Sequence, residues 1–225
     1  MSMYSALRDY LDLMEGFLAE KREDLHQVQT EYLLEKGYSL EDIESRAPEM
    51  VLDLLVLEFS GEINLGYPYN IEREFPNLLR KSLFIIIYSF SDNNLHRRCN
   101  FIQHQHDLEL SVTDLRGGGV MRSKEYLEKV AGFDFSDSEE WFDILSYVKL
   151  RNCVIHGNSL IEKCRYTKFL KSYVSSHRAL DLDHSEVIFQ KGFCEEVIDN
   201  FENFEEYLQE HHSAWLRHRQ DHVTN

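Results

Sequence analysis

Arg151, Asn152 and His156 stand in one short string, Arg-Asn-Cys-Val-Ile-His, and their types could serve one chemistry. An imidazole titrates near pH about 6.5, so His156 can take a proton from a hydroxyl or, once protonated, deliver one to a leaving oxygen. The Arg151 guanidinium keeps its charge and presents a planar fork that matches phosphate oxygens. Asn152 would orient the imidazole or the phosphate. Spacing constrains how they cooperate. On an unbroken helix Asn152 and His156 are i and i+4 and share a face, whereas Arg151 and His156 diverge by roughly 140° about the axis. Arg and His then converge only if the helix ends inside the string, which Gly157 favours, or if a second protomer supplies the partner face. A plainer reading stands beside this one: cations near a helix C-terminus are favourable against its dipole, so both residues could be capping groups.

Other chemistry-bearing residues form weaker patterns. His104 and His106 make an H-x-H pair on an expected strand, without an evident third ligand. Cys99, Cys153, Cys164 and Cys194 include no C-x-x-C pair and read as reduced, mostly buried thiols in a reducing cytosol. Gly117, Gly118 and Gly119 lack the spacing and the Lys of a phosphate loop and are expected to form a flexible loop. Glu195, Glu196, Glu205 and Glu206 read as the wet face of a last helix, and His211, His212, His218 and His222 as solvent-facing. Neither a metal nor a cofactor is expected.

Charge is distributed unevenly. The net charge is −16, yet residues 1–66 hold 15 acids and 5 bases, residues 192–225 hold 8 and 2, and residues 67–191 balance at 17 and 17. From Arg151 to Leu180 the bases Arg151, Lys163, Arg165, Lys168, Lys171 and Arg178 face Glu162 as the sole acid, so a basic surface is expected there. The abundance of aromatics excludes disordered and repeat classes, and no apolar run approaches the roughly 18 residues of a membrane span. A soluble, cytoplasmic protein is expected, with no membrane partner.

The elements that must carry these residues can be read from periodicity. Tyr4, Leu11, Leu18, Leu25 and Tyr32 recur every seventh residue, interleaved with Leu7, Met14 and Val28, which predicts a long first helix stopped near Gly37. Ser39 to Leu57 reads as a second amphipathic stretch, and Gly61, Gly66 and Pro68 mark a loop. Phe75 to Asn100 is apolar nearly all round, as in a central buried helix. Leu108, Leu110 and Val112 alternate with polar residues, a weak strand signal. Ser136 with Glu139 forms a capping box for a helix running to about Asn152. Two alternating runs between Ala179 and Phe189 predict a hairpin, and Val197, Phe201, Phe204, Leu208 and Trp215 trace one face of a C-terminal helix.

The segment 151–157, RNCVIHG, following the apolar segment 79–95, LRKSLFIIIYSFSDNNL, resembles the R-x(4-6)-H motif and its buried preceding helix in the HEPN superfamily. The resemblance covers Phe75 to Gly157 and reaches the flanks only in general character. It implies a predominantly all-α protein, an HEPN-like helical bundle with a minor β-hairpin insertion, as a single domain over 1–225 with a helical extension at 1–66 and a core at 75–216. It also implies that Asp92, standing where relatives often carry Glu, faces the motif. The activity implied is metal-independent endoribonucleolytic cleavage by Arg151, His156, Asn152 and Asp92, with RNA as substrate. A homodimer with a composite active site, an antitoxin or other partner protein, and a toxin or phage-defence setting go with that implication. The heptad face from Tyr4 to Tyr32 and the exposed remainder of the C-terminal helix are alternative dimer surfaces, and the sequence does not decide between them. A non-catalytic HEPN module that dimerises and binds a partner protein or nucleotide is the alternative: the acidic flanks favour it, and the intact Arg, Asn and His favour the enzyme.

Overall fold

The computed structural model describes residues 3–35, 37, 39, 73–133 and 138–223, with side chains at all of these except 3, 28, 29, 32, 33 and 213–223. The expected helix at Ser39–Leu57, the loop at Gly61–Pro68, Ser136, and the side chains of Val28, Tyr32, Trp215, His218 and His222 lie outside that description. The chain is predominantly helical, with six α-helices and one hairpin among the described residues: α1 (Met3–Glu35), α2 (Phe75–Gln105), α3 (Gly119–Lys129), α4 (Glu139–His156), α5 (Thr167–Ser176), β1 (Leu180–Asp183), β2 (Glu186–Phe189) and α6 (Phe193–Val223). Two compact units are present, one of Met1–Leu7 with Lys81–Asn225 and one of Arg8–Arg80.

In the Arg8–Arg80 unit, α1 buries Leu11, Met14, Leu18 and Leu25, which are heptad positions. Lys21, which interrupts the inner series, instead pairs with Asp24 at 2.6 Å. Gly37 stops the helix as expected, with φ +90° and its N–H donating to Leu34 O at 3.0 Å. Arg80 and Glu15 form a buried two-bond ion pair, Nε to Oε1 at 2.6 Å and Nη2 to Oε2 at 2.8 Å.

The larger unit is built round an aromatic cluster. Phe84 of α2 lies 5.5 Å from Phe189, 5.6 Å from Phe193 and 6.3 Å from Tyr147, centroid to centroid, and Tyr147 lies 5.9 Å from Phe201. Such tilted and edge-on pairs suit the ring quadrupoles. Although α2 is apolar nearly all round, it buries one side, Leu83, Phe84, Ile87, Tyr88, Leu95, Cys99 and Ile102, while Ile86 and Phe101 are exposed. β1 and β2 pair antiparallel from Leu180↔Phe189 to Asp183↔Glu186, the hairpin that the alternation predicts. His184 turns it with φ +55°.

Several expectations are corrected. Leu108–Val112 is not a strand: Asp107 takes φ +47°, and Val112–Asp114 coils into a 3-10 turn because the Asp114 carboxylate accepts from Ser111 N–H at 2.7 Å. The helix cap is Ser138, whose Oγ accepts from Trp141 N–H at 3.2 Å, two residues after the predicted Ser136. The glycine run is no featureless loop, since Gly118 caps α3 and Gly119 begins it. α3 and α5 have no counterpart in the sequence expectations. No helix among the described residues is long and apolar enough to cross a membrane.

Candidate functional site

α4 carries the motif, and its own sequence fixes how. Ser138 caps its start, Glu139 and Glu140 sit in the first turn, and Trp141, Ile144, Tyr147, Leu150 and Cys153 form the buried face. Helix continues through His156, beyond the expected end at Asn152, so the motif is helical throughout. The first route to convergence is thereby closed: Arg151 and His156 project roughly 140° apart within one chain.

Gly157 ends α4, and its N–H donates to Cys153 O at 2.9 Å. Left-handed Asn158 and Ser159 follow, at φ +55° and +62°. This turn docks on the hairpin, Val187 N–H donating to Ser159 O at 3.0 Å and Ile161 N–H to Ser185 O at 2.8 Å. It also brings the Cα atoms of Cys153 and Cys164 to 5.3 Å, where the two form a disulfide. That corrects the expectation of four reduced thiols. Cys99 and Cys194 are buried and lie outside the disulfide, in line with the expectation.

Half-buried Arg151 donates from Nη1 to Asn152 Oδ1 at 3.1 Å, and its guanidinium lies 5.8 Å from the Tyr88 ring centroid. Asn152 therefore orients Arg151 rather than His156. Tyr88, Asp92 and His96 stand four residues apart along α2 and share one stripe, in which the aromatic core gives way to polar groups. Burial pushes the Asp92 carboxyl above the usual carboxylate range, against the opposing pull of His96, Arg151 and Arg122. The Tyr88 hydroxyl is likewise raised by burial and then by the Asp92 charge. A Cβ on Gly119 would sit 3.3 Å from Asp92 Oδ2, so the start of α3 closes on that carboxylate. The structure thus brings Arg151, Asn152 and Asp92 into one neighbourhood and leaves His156 exposed outside it. Tyr88, His96, Gly119 and Arg122 were missed. The i, i+4 stripe through Asp92 could have revealed the first two.

Beyond His156 lie four bases of the segment expected to form a basic surface. Lys163, Arg165, Lys168 and Lys171 are exposed, together with the Tyr166 and Phe169 rings. Lys149 Nζ stands 3.6 Å from the Phe169 centroid, and the Arg165 guanidinium 5.6 Å from that of Tyr166.

Elsewhere, His104 and His106 lie at the end of α2, not on a strand, and His106 Nε2 meets His212 Nε2 at 3.1 Å. His212 is buried rather than solvent-facing, against the Phe133 and Phe101 rings. Glu196 is tied to His177 and Arg178, and Glu205 accepts from the Tyr4 hydroxyl at 3.1 Å, so the acidic face of α6 is partly engaged. A cavity of about 230 Å³ is lined by Asp143, Tyr147, His177, Glu196 and Asp199, a charge unsuited to a polyanion. Among the described residues no group of three or more His, Cys, Asp or Glu could hold a metal ion. No family model, curated protein or solved structure matches the chain.

Proposed function

We propose that this chain is a metal-independent endoribonuclease of the HEPN type, working as a homodimer in a toxin or defence role that an antitoxin or other partner protein would restrain. One observation carries the reading: the His156 imidazole is exposed at the end of α4, and the segment that follows it exposes four cations and two aromatic rings. Cations neutralise backbone phosphates and rings accept unpaired bases, which is the combination that holds single-stranded RNA. There the ribose 2′-oxygen forms a bond to the adjacent phosphorus as the bond to the 5′-oxygen breaks. One His156 takes the 2′-hydroxyl proton, the second copy's imidazolium gives one to the departing 5′-oxygen, and Arg151 stabilises the charge on the phosphorane.

The test is cleavage of single-stranded RNA by the purified protein. Activity is expected to survive EDTA and to leave cyclic phosphate ends, and His156→Ala should lose about a hundredfold or more in rate with its melting temperature little changed. Loss on chelation with recovery on adding zinc or magnesium would overturn the mechanism. The second reading, a non-catalytic HEPN module that binds a partner protein or nucleotide, draws on Arg151 being half-buried, bonded to Asn152 and stacked near Tyr88, as a structural residue would be. It is favoured if wild type and His156→Ala are equally inert on RNA.

A further inference from the structure

We infer that Arg122 and His96 join Arg151 in a phosphate-binding site over Asp92, at the start of α3. Three elements converge there. Gly119 closes on Asp92, and Arg122, three residues later on the same short helix, shares Gly119's face. His96 lies one turn beyond Asp92 on α2, and Arg151 comes from α4. Charge does not balance: two permanent cations and one imidazole act electrostatically on a single carboxylate. Nor do the hydrogen bonds. The buried Nε atoms of both Arg122 and Arg151 have no partner among the described residues. A buried, unsatisfied guanidinium donor is costly, and two in one neighbourhood call for an acceptor with several oxygens. The amide groups at the start of α3 add a favourable potential for an anion, since Gly118 gives that helix no side-chain cap. All four residues are half-buried rather than sealed in the core.

A phosphate meets these demands: tetrahedral oxygens take two guanidinium forks, and its charge offsets the excess. Asp92 then acts as a positioning residue, holding the cations apart and competing with the ligand. If the ribonuclease reading holds, and this assignment rests on it for the source alone, the phosphate belongs to the RNA backbone beside the bond that is cut. Otherwise it belongs to a small phosphate compound.

The two variants should move binding in opposite directions. Calorimetry with inorganic phosphate, and with a 2′-O-methyl oligoribonucleotide that cannot be cut, should show about tenfold weaker binding for Arg122→Gln. Asp92→Asn should bind more tightly than wild type, because it removes the competing charge. Arg122→Lys, keeping the charge but losing the fork, should fall between wild type and Arg122→Gln. For the oligoribonucleotide the salt dependence should lose about one unit of slope in Arg122→Gln. Binding of the oligoribonucleotide assigns the site to the RNA backbone, and binding of inorganic phosphate alone assigns it to a small phosphate; either supports the site. Unchanged affinity in Arg122→Gln for both probes, or weaker binding in Asp92→Asn, overturns it. RNA cleavage is scored separately, so a protein that binds phosphate through Arg122 but never cuts RNA would sink the ribonuclease reading alone.

Discussion

Gly157 illustrates how a single residue fixes the site. Its φ is −98°, a conformation open to any residue, so backbone freedom does not explain it. Space does. A Cβ there would lie 2.6 Å from Cys164 Sγ and 2.8 Å from Cys153 O, and the carbonyl, belonging to the helix, cannot swing aside. Gly157→Ala is therefore expected to cost about 1–3 kcal/mol, measured by chemical denaturation, and to move the turn that holds His156. A substitution without effect on stability would show that the turn has room. The sequence marks Gly157 as a helix stop but hides this reason, because the crowding comes from a cysteine pair eleven residues apart that meets only after Asn158 and Ser159 turn left-handed. Asp92 was legible through the resemblance. Arg122 was not, since nothing in its own neighbourhood separates it from an ordinary surface cation.

Among the elements, those with long periodic patterns were legible and those shaped by neighbours were not. α1, α2 and α6 each repeat an apolar spacing over many turns, and the hairpin alternates cleanly. α3 is short and starts on glycines, which are poor helix formers; its buried Val120, Tyr126 and Leu127 show their purpose only once the rest of the fold is present. The end of α2 shows the same dependence, because the alternation at Leu108–Val112 is overridden by a side-chain bond to the backbone. That end is also where α6 docks through His106 and His212. Burial, then His106 and Arg98, push the His212 pKa below its ordinary value of 6.5. A depressed histidine pKa means that the unfolded chain binds the proton better, so stability present above pH 6.5 is lost as the pH falls below it. The melting temperature should therefore drop between pH 7 and about 5, and His212→Phe, which can sit among the Phe101 and Phe133 rings, should flatten the drop. An unchanged profile in that variant would place the acid sensitivity elsewhere.

For the whole molecule, the helical motif decides what a single copy can do. Because α4 is unbroken to His156, one chain offers Arg151 within the Asp92 neighbourhood and an imidazole on another side of the helix. The proposed chemistry needs a proton acceptor, a proton donor and a cation together. A two-fold axis would supply them by duplication, each copy contributing one Arg and one His to a shared cleft. On the heptad side of α1, Leu11, Met14, Leu18 and Leu25 are already buried in the protomer. An axis passing near His156 is what the chemistry requires. Sedimentation should then give about twice the chain mass of 26.7 kDa, and dilution below the dimer dissociation constant should remove activity faster than linearly. Mixing Arg151→Ala chains with His156→Ala chains examines the cleft itself, for only the heterodimer retains one Arg and one His. Partial recovery of cleavage in the mixture, absent from either variant alone, is the expected result. A fully active monomer would place acid, base and cation within one chain and remove the reason for the dimer.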